Sequence, residues 1–69
     1  MASIKIKIGN NIRKYRKKLG ISQEELATKA KVDLTSVSEI ESGLRNTSIE
    51  MLHKLANALG VKVRDLVDF

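Results

Sequence analysis

Apolar side chains recur along this chain at helical intervals, and no proline interrupts them. Ile8, Ile12, Tyr15 and Leu19 form one stripe flanked by Arg13, Lys14, Lys17 and Lys18, and Gly20 is a natural C-terminal stop. A first helix is predicted over 8–19. Ser22-Gln23-Glu24-Glu25 reads as a capping box, in which the Ser22 hydroxyl accepts from the Glu25 amide and the Glu25 carboxylate accepts from the Ser22 amide. The second helix therefore starts near Gln23 and buries Leu26, Ala27 and Ala30. Asp33 offers the next N-cap, Val37 and Ile40 a short inward face, and Gly43 a stop. Thr47-Ser48-Ile49-Glu50 reads as another capping box. It opens the most apolar helix, with Ile49, Leu52, Ala56 and Leu59 inward and Met51, Leu55 and Ala58 beside them. After Gly60, Val63, Leu66 and Val67 fit a fifth, short helix, although Lys62 stands where a capping side chain is expected. Ile4-Lys5-Ile6-Lys7-Ile8 alternates like a half-buried strand, yet Ile4 and Ile8 also continue the first stripe backwards. Residues 1–7 are thus an N-terminal arm or a helix extension, and 8–69 form an all-α domain.

Composition narrows this picture. A chain of 69 residues holds one domain, and 42% hydrophobic content is enough to fold it. Without cysteine there is no disulfide, no thiolate zinc site and no cysteine nucleophile, so self-association is the remaining common source of stability. Neither a membrane-spanning apolar run nor a secretory signal is present, which makes a cytoplasmic protein without membrane contact the expectation. An enzyme is not expected either: His53 is the one histidine, and no phosphate-binding glycine loop or carboxylate cluster of metal-ligand spacing occurs. No metal or cofactor is implied.

The formal net charge of +5 is unevenly placed. Residues 1–20 carry seven basic side chains and no acidic one, residues 21–45 carry three basic against five acidic, and the rest balances. A polyanion would be gripped mainly by the N-terminal segment and the basic side chain at position 45. The second and third helices, joined by Ala30-Lys31-Val32-Asp33, are too small to form a core alone. Ala27 permits close approach, while Val32, Val37 and Ile40 form a wedge that fixes a steep crossing, the packing logic of a helix-turn-helix. Periodicity alone fits other small helical bundles as well.

The residues go further. The run from Ile12-Arg13-Lys14-Tyr15 through Gly20-Ile21-Ser22-Gln23-Glu24-Glu25-Leu26-Ala27 resembles the opening of the lambda-repressor-like, Cro-type helix-turn-helix family. Val37-Ser38-Glu39-Ile40-Glu41-Ser42-Gly43, Arg45-Asn46 and Leu55-Ala56-Asn57-Ala58-Leu59-Gly60-Val61 extend that resemblance over residues 8–67. It implies a compact five-helix DNA-binding domain whose third helix enters the major groove. By that resemblance Leu34, Thr35, Ser36 and Glu39 face base edges. Arg13, Gln23, Ser42, Arg45 and Asn46 face phosphates, and Arg16 and Glu41 form a structural salt bridge. Helix 3 itself holds no Lys or Arg, so no arginine from within it reaches guanine. Three positions depart from the family: Lys31 where Gly is frequent, Thr47 where Pro follows Arg-Asn, and Lys62 at the last helix start.

One such domain covers little DNA, and the family usually pairs two copies on half-sites. Val61, Val63, Leu66, Val67 and Phe69 crowd the last nine residues and are the expected dimer surface. The expected function is a homodimeric transcription regulator on a (pseudo)palindromic operator in double-stranded DNA. A restriction-modification controller and a phage-type repressor are its concrete forms, and an antitoxin-type regulator or a helical protein-interaction adaptor is the alternative. No small-molecule ligand is expected, so control would come from protein concentration.

Overall fold

The structure is a computed structural model that describes residues 3–69. Five helices follow one another: α1 (Ile4–Leu19), α2 (Gln23–Ala30), α3 (Leu34–Glu41), α4 (Ile49–Leu59) and α5 (Val63–Leu66). The alternating segment is helical from Ile4 onward. Ser3 caps it, its hydroxyl accepting from the Ile6 amide at 3.3 Å, so the arm alternative does not hold for residues 4–7. Met1 and Ala2 lie outside the described residues.

Capping explains where the other helices begin. The Ser22–Glu25 box forms with both bonds at 3.0 Å. At α4 the cap is Ser48 and not Thr47, with the Ser48 hydroxyl accepting from the Met51 amide at 3.1 Å. Asp33 holds the N-cap backbone position of α3 but makes no capping bond. Lys62 cannot cap with its side chain, and the Asp65 carboxylate supplies the missing partner by accepting from the Lys62 amide at 2.9 Å.

The core joins Ile12 of α1, Leu26 and Ala27 of α2, Val37 and Ile40 of α3, Leu52, Leu55, Ala56 and Leu59 of α4, and Leu66 of α5. α4 packs on α1, α2 and α5. Two stripe residues point elsewhere: Ile49 is 72% exposed and Leu19 47%. Leu66 is 0% exposed, which removes it from the expected dimer surface, because a side chain that plugs its own core has nothing left to offer a second copy. Gly9 explains how α1 meets α3. A Cβ there would collide with the carbonyl oxygens of Ile40 and Glu41, so the bare backbone lets the last turn of α3 lie directly on α1. Among the described residues no helix is long and apolar enough to cross a membrane.

Candidate nucleic-acid interface

The turn between α2 and α3 is closed by backbone bonds from the Lys31 amide to Thr28 and from the Val32 amide to Ala27, at 3.2 and 3.0 Å. It requires a left-handed residue, and Lys31 supplies it at φ 59° and ψ 46°. Among the described residues Lys31 is the one non-glycine with positive φ. Ala27 is buried, as close approach of the two helices demands.

At the other end of α3, Glu41 joins three elements. Its side chain is fully buried and accepts from Arg16 Nε at 2.7 Å and Arg16 Nη2 at 3.0 Å, a forked ion pair between α3 and α1. The Gln23 amide, from the first residue of α2, donates to the same carboxylate at 3.1 Å, and Arg13 Nε lies 3.5 Å away. Arg16 also donates to the Ile21 carbonyl at 2.9 Å, which ties down the α1–α2 connection. Burial pushes the Glu41 carboxyl up, but the donors from Arg16, Gln23 and Arg13 together outweigh it and hold the group below the usual carboxylate range. The same pairing holds the Arg16 guanidinium above its usual range against its own desolvation. No buried side-chain nitrogen or oxygen among the described residues lacks a partner. The expected Arg16–Glu41 bridge is therefore present, with Gln23 and half-exposed Arg13 attached to it.

On α3, Leu34 and Thr35 are exposed and Glu39 is half-exposed. Ser36 is not outward as the resemblance implied. It is 6% exposed and lies between the buried Val37 and Ile40 faces, four residues before Ile40 on the same side of the helix. Its hydroxyl accepts from Arg45 Nη1 at 2.7 Å, and the same nitrogen is 3.6 Å from the Glu39 carboxylate. Arg45 thus folds back from the loop onto α3 and brings a guanidinium to a helix that has no cation of its own. Ser42 and Asn46 are exposed in the adjoining loop. Nothing in the local sequence announced the Ser36–Arg45 bond, because nine residues and a loop separate the partners.

The expected dimer surface is divided in two. Val63 is half-buried and lines, with Ile49, His53, Glu50 and Lys54, a hollow of about 490 Å³. Val67 and Phe69 belong to a tail tied to α1, where the Asn11 amide donates to the carbonyls of Leu66 and Asp68 at 3.0 and 3.2 Å. The Lys7 ammonium sits 5.3 Å from the centre of the Phe69 ring. Val61 is half-buried against the core. Ile49 is the surface residue that sequence reasoning missed, since its spacing placed it on the inward stripe.

A family model described as "Helix-turn-helix" matches residues 12–66, and so spans both helices of the turn, the Glu41 junction and α5. The chain belongs to that helix-turn-helix family. Its members are DNA-binding transcription regulators, not enzymes, and this chain is one of them, close to restriction-modification controller proteins. Control protein C.BamHI of Bacillus amyloliquefaciens is 40% identical over 68 residues, which cover 97% of this chain and 84% of that protein. The crystal structure of the restriction-modification controller protein C.AhdI from Aeromonas hydrophila superposes with a TM-score of 0.87 at 39% identity, covering 90% of this chain and 94% of that one. SinR, described as a master regulator for biofilm formation and solved in complex with DNA, superposes with a TM-score of 0.85 at 45% identity, over 88% of this chain and 98% of that one. The helix-turn-helix family and its five-helix lambda-repressor-like fold are thus those that the resemblance implied.

Proposed function

We propose that this regulator acts in the cytoplasm as a homodimer on a (pseudo)palindromic operator, in the manner of a restriction-modification controller. The observation that carries the reading is the Glu41 junction, which fixes Gln23 at the start of α2 and Arg13 on α1 relative to the exposed residues of α3. In this reading Leu34, Thr35 and Glu39 meet base edges, and Arg13, Gln23, Ser42, Arg45 and Asn46 surround them on phosphates. Thr35 can donate or accept, Leu34 suits a thymine methyl, and Glu39 accepts from a donor such as cytosine N4. Ser36 takes the supporting role of steadying Arg45. The dimer contact is assigned to Val61, Val63, Val67 and Phe69 together with Ile49, because a second copy would cover apolar surface that the monomer leaves in water.

Selection of bound sequences from a random duplex pool tests the reading. Recovery of a two-fold related site with half-sites about one helical turn apart, roughly 34 to 36 Å, is the expected result. Binding that lacks sequence preference, or recovery of single half-sites with no two-fold partner, would reject the palindromic-operator reading.

A further inference from the structure

A second hollow, of about 530 Å³, opens where the C-terminal ends of α1, α2 and α4 converge. Leu19, Ala58 and Leu59 contribute its apolar lining, and Lys29, Lys31 and Lys54 its basic residues. We propose that this hollow is a docking surface for an acidic segment of a partner protein that inserts an apolar side chain.

Three observations carry the proposal. The first is charge without compensation: among the described residues every ion pair is made by an arginine, and none of the three lysines has a carboxylate within 4.0 Å. The second is Leu19, which stays 47% exposed beside this hollow while Ile12 on the same helix is fully buried. The third is Lys31 itself, held in the left-handed conformation that glycine adopts without strain. A glycine would close the turn better. What the lysine adds is a cation beside the hollow.

Compensation of helix ends does not account for the set. Lys29 lies in the last turn of α2, where a cation is favourable. Lys54 stands more than one turn before the end of α4, and the last turn of that helix has no basic residue. The hollow also shares no lining residue with those proposed to meet DNA. Gln23 starts α2 and Lys31 caps its other end, so the eight-residue helix separates the two by about 12 Å. An apolar lining suits a side chain and not a phosphate. An acidic segment with a leucine-like anchor satisfies both the lining and the lysines, and leaves the DNA-facing side free.

The test uses the ¹⁵N-labelled full chain, titrated with a short peptide of glutamate and leucine and followed by amide chemical shifts. Saturable shifts at Leu19, Lys31 and Lys54–Gly60 are expected, with no competition from duplex DNA. Lys31→Gly and Lys54→Gln should each weaken the peptide by about two- to fivefold, and the double variant by about tenfold, with operator affinity unchanged. Lys31→Gly folds readily because glycine suits that φ, so its loss of peptide binding is separable from loss of structure. Equal binding by the double variant would overturn the proposal. So would equal binding of a leucine-free glutamate peptide, or shifts centred on Arg13, Gln23 and Arg45 that duplex DNA abolishes.

Discussion

The junction around Glu41 and the surface around Ile49 are built on opposite terms. At the junction a charged group is buried, and its carboxylate accepts from Arg16 and Gln23 within the monomer. At the surface an isoleucine stands 72% exposed beside half-buried Val63, and nothing among the described residues covers it. The difference separates two kinds of order. The α1–α2–α3 arrangement is held together within one copy and arrives at DNA already shaped, whereas the α4–α5 face leaves apolar area in water among the described residues.

The largest effect is expected at the junction. Glu41→Ala leaves Arg16 in a buried setting without its counterion and should cost about 3 to 5 kcal/mol. In a domain of this size the melting midpoint should then fall by well over 10 °C, taking roughly 4 to 8 °C per kcal/mol. An unchanged midpoint would remove the bridge from the account. The pH dependence carries the same information. Because the folded Glu41 carboxyl is held below its ordinary value of 4.5, its contribution is present above that pH and is lost as pH falls below it through the folded pKa. Glu41→Gln should be less stable than the wild type at neutral pH and should lack this part of the acid sensitivity.

At the open face, Ile49→Glu places a charge where the second copy is expected. The variant should sediment as a monomer and melt below the wild type only by the part that dimerisation contributes, since the residue lies outside the core. Its affinity for a palindromic operator should fall by roughly a hundredfold as the second half-site stops helping the first. If Phe69→Ala dissociates the dimer and Ile49→Glu does not, the contact belongs to the tail on α1 and not to the α4–α5 hollow.

These two regions also mark how far the sequence could be read. Helices were legible because their signals are local: Ser22 and Glu25 lie three residues apart, and Gly20 and Gly60 end α1 and α4 with φ of 71° and 73°. Arg16 with Glu41 was legible through family resemblance. The orientation of Ser36 was not, since it depends on a loop that returns Arg45 to α3. Ile49 was misplaced because period alone gives an apolar face without saying how wide the core beneath it is, and α4 begins before the core does. Gly9 was unread as a packing residue, because its role is defined by backbone carbonyls more than thirty residues away.

A finer division lies within the interface. Thr35→Ala should lower affinity for the selected operator by about 1 to 3 kcal/mol and leave binding to random duplex unchanged, as for loss of a base contact. Ser36→Ala tests the correction at the neighbouring position. It removes the acceptor of Arg45, so its effect should follow that of Arg45→Ala in a double-mutant cycle and be small once Arg45 is gone. Equal losses on operator and random DNA for Thr35→Ala would move that residue from base reading to phosphate contact.

The smallest effect has the opposite sign. Lys31 is left-handed, and an L side chain there costs about 1 to 2 kcal/mol relative to a residue without Cβ. Lys31→Gly relieves that strain but gains backbone entropy in the unfolded chain, about 0.5 to 1 kcal/mol in the other direction. The net expectation is stabilisation of about 0.5 to 1 kcal/mol, seen as a rise of a few degrees in melting midpoint. Gly20 and Gly60 end their helices with nearly the same φ and ψ and have open space around the missing Cβ, so strain alone separates Lys31 from them. A fall in midpoint for Lys31→Gly would mean that the lysine side chain stabilises the turn by more than its backbone conformation costs.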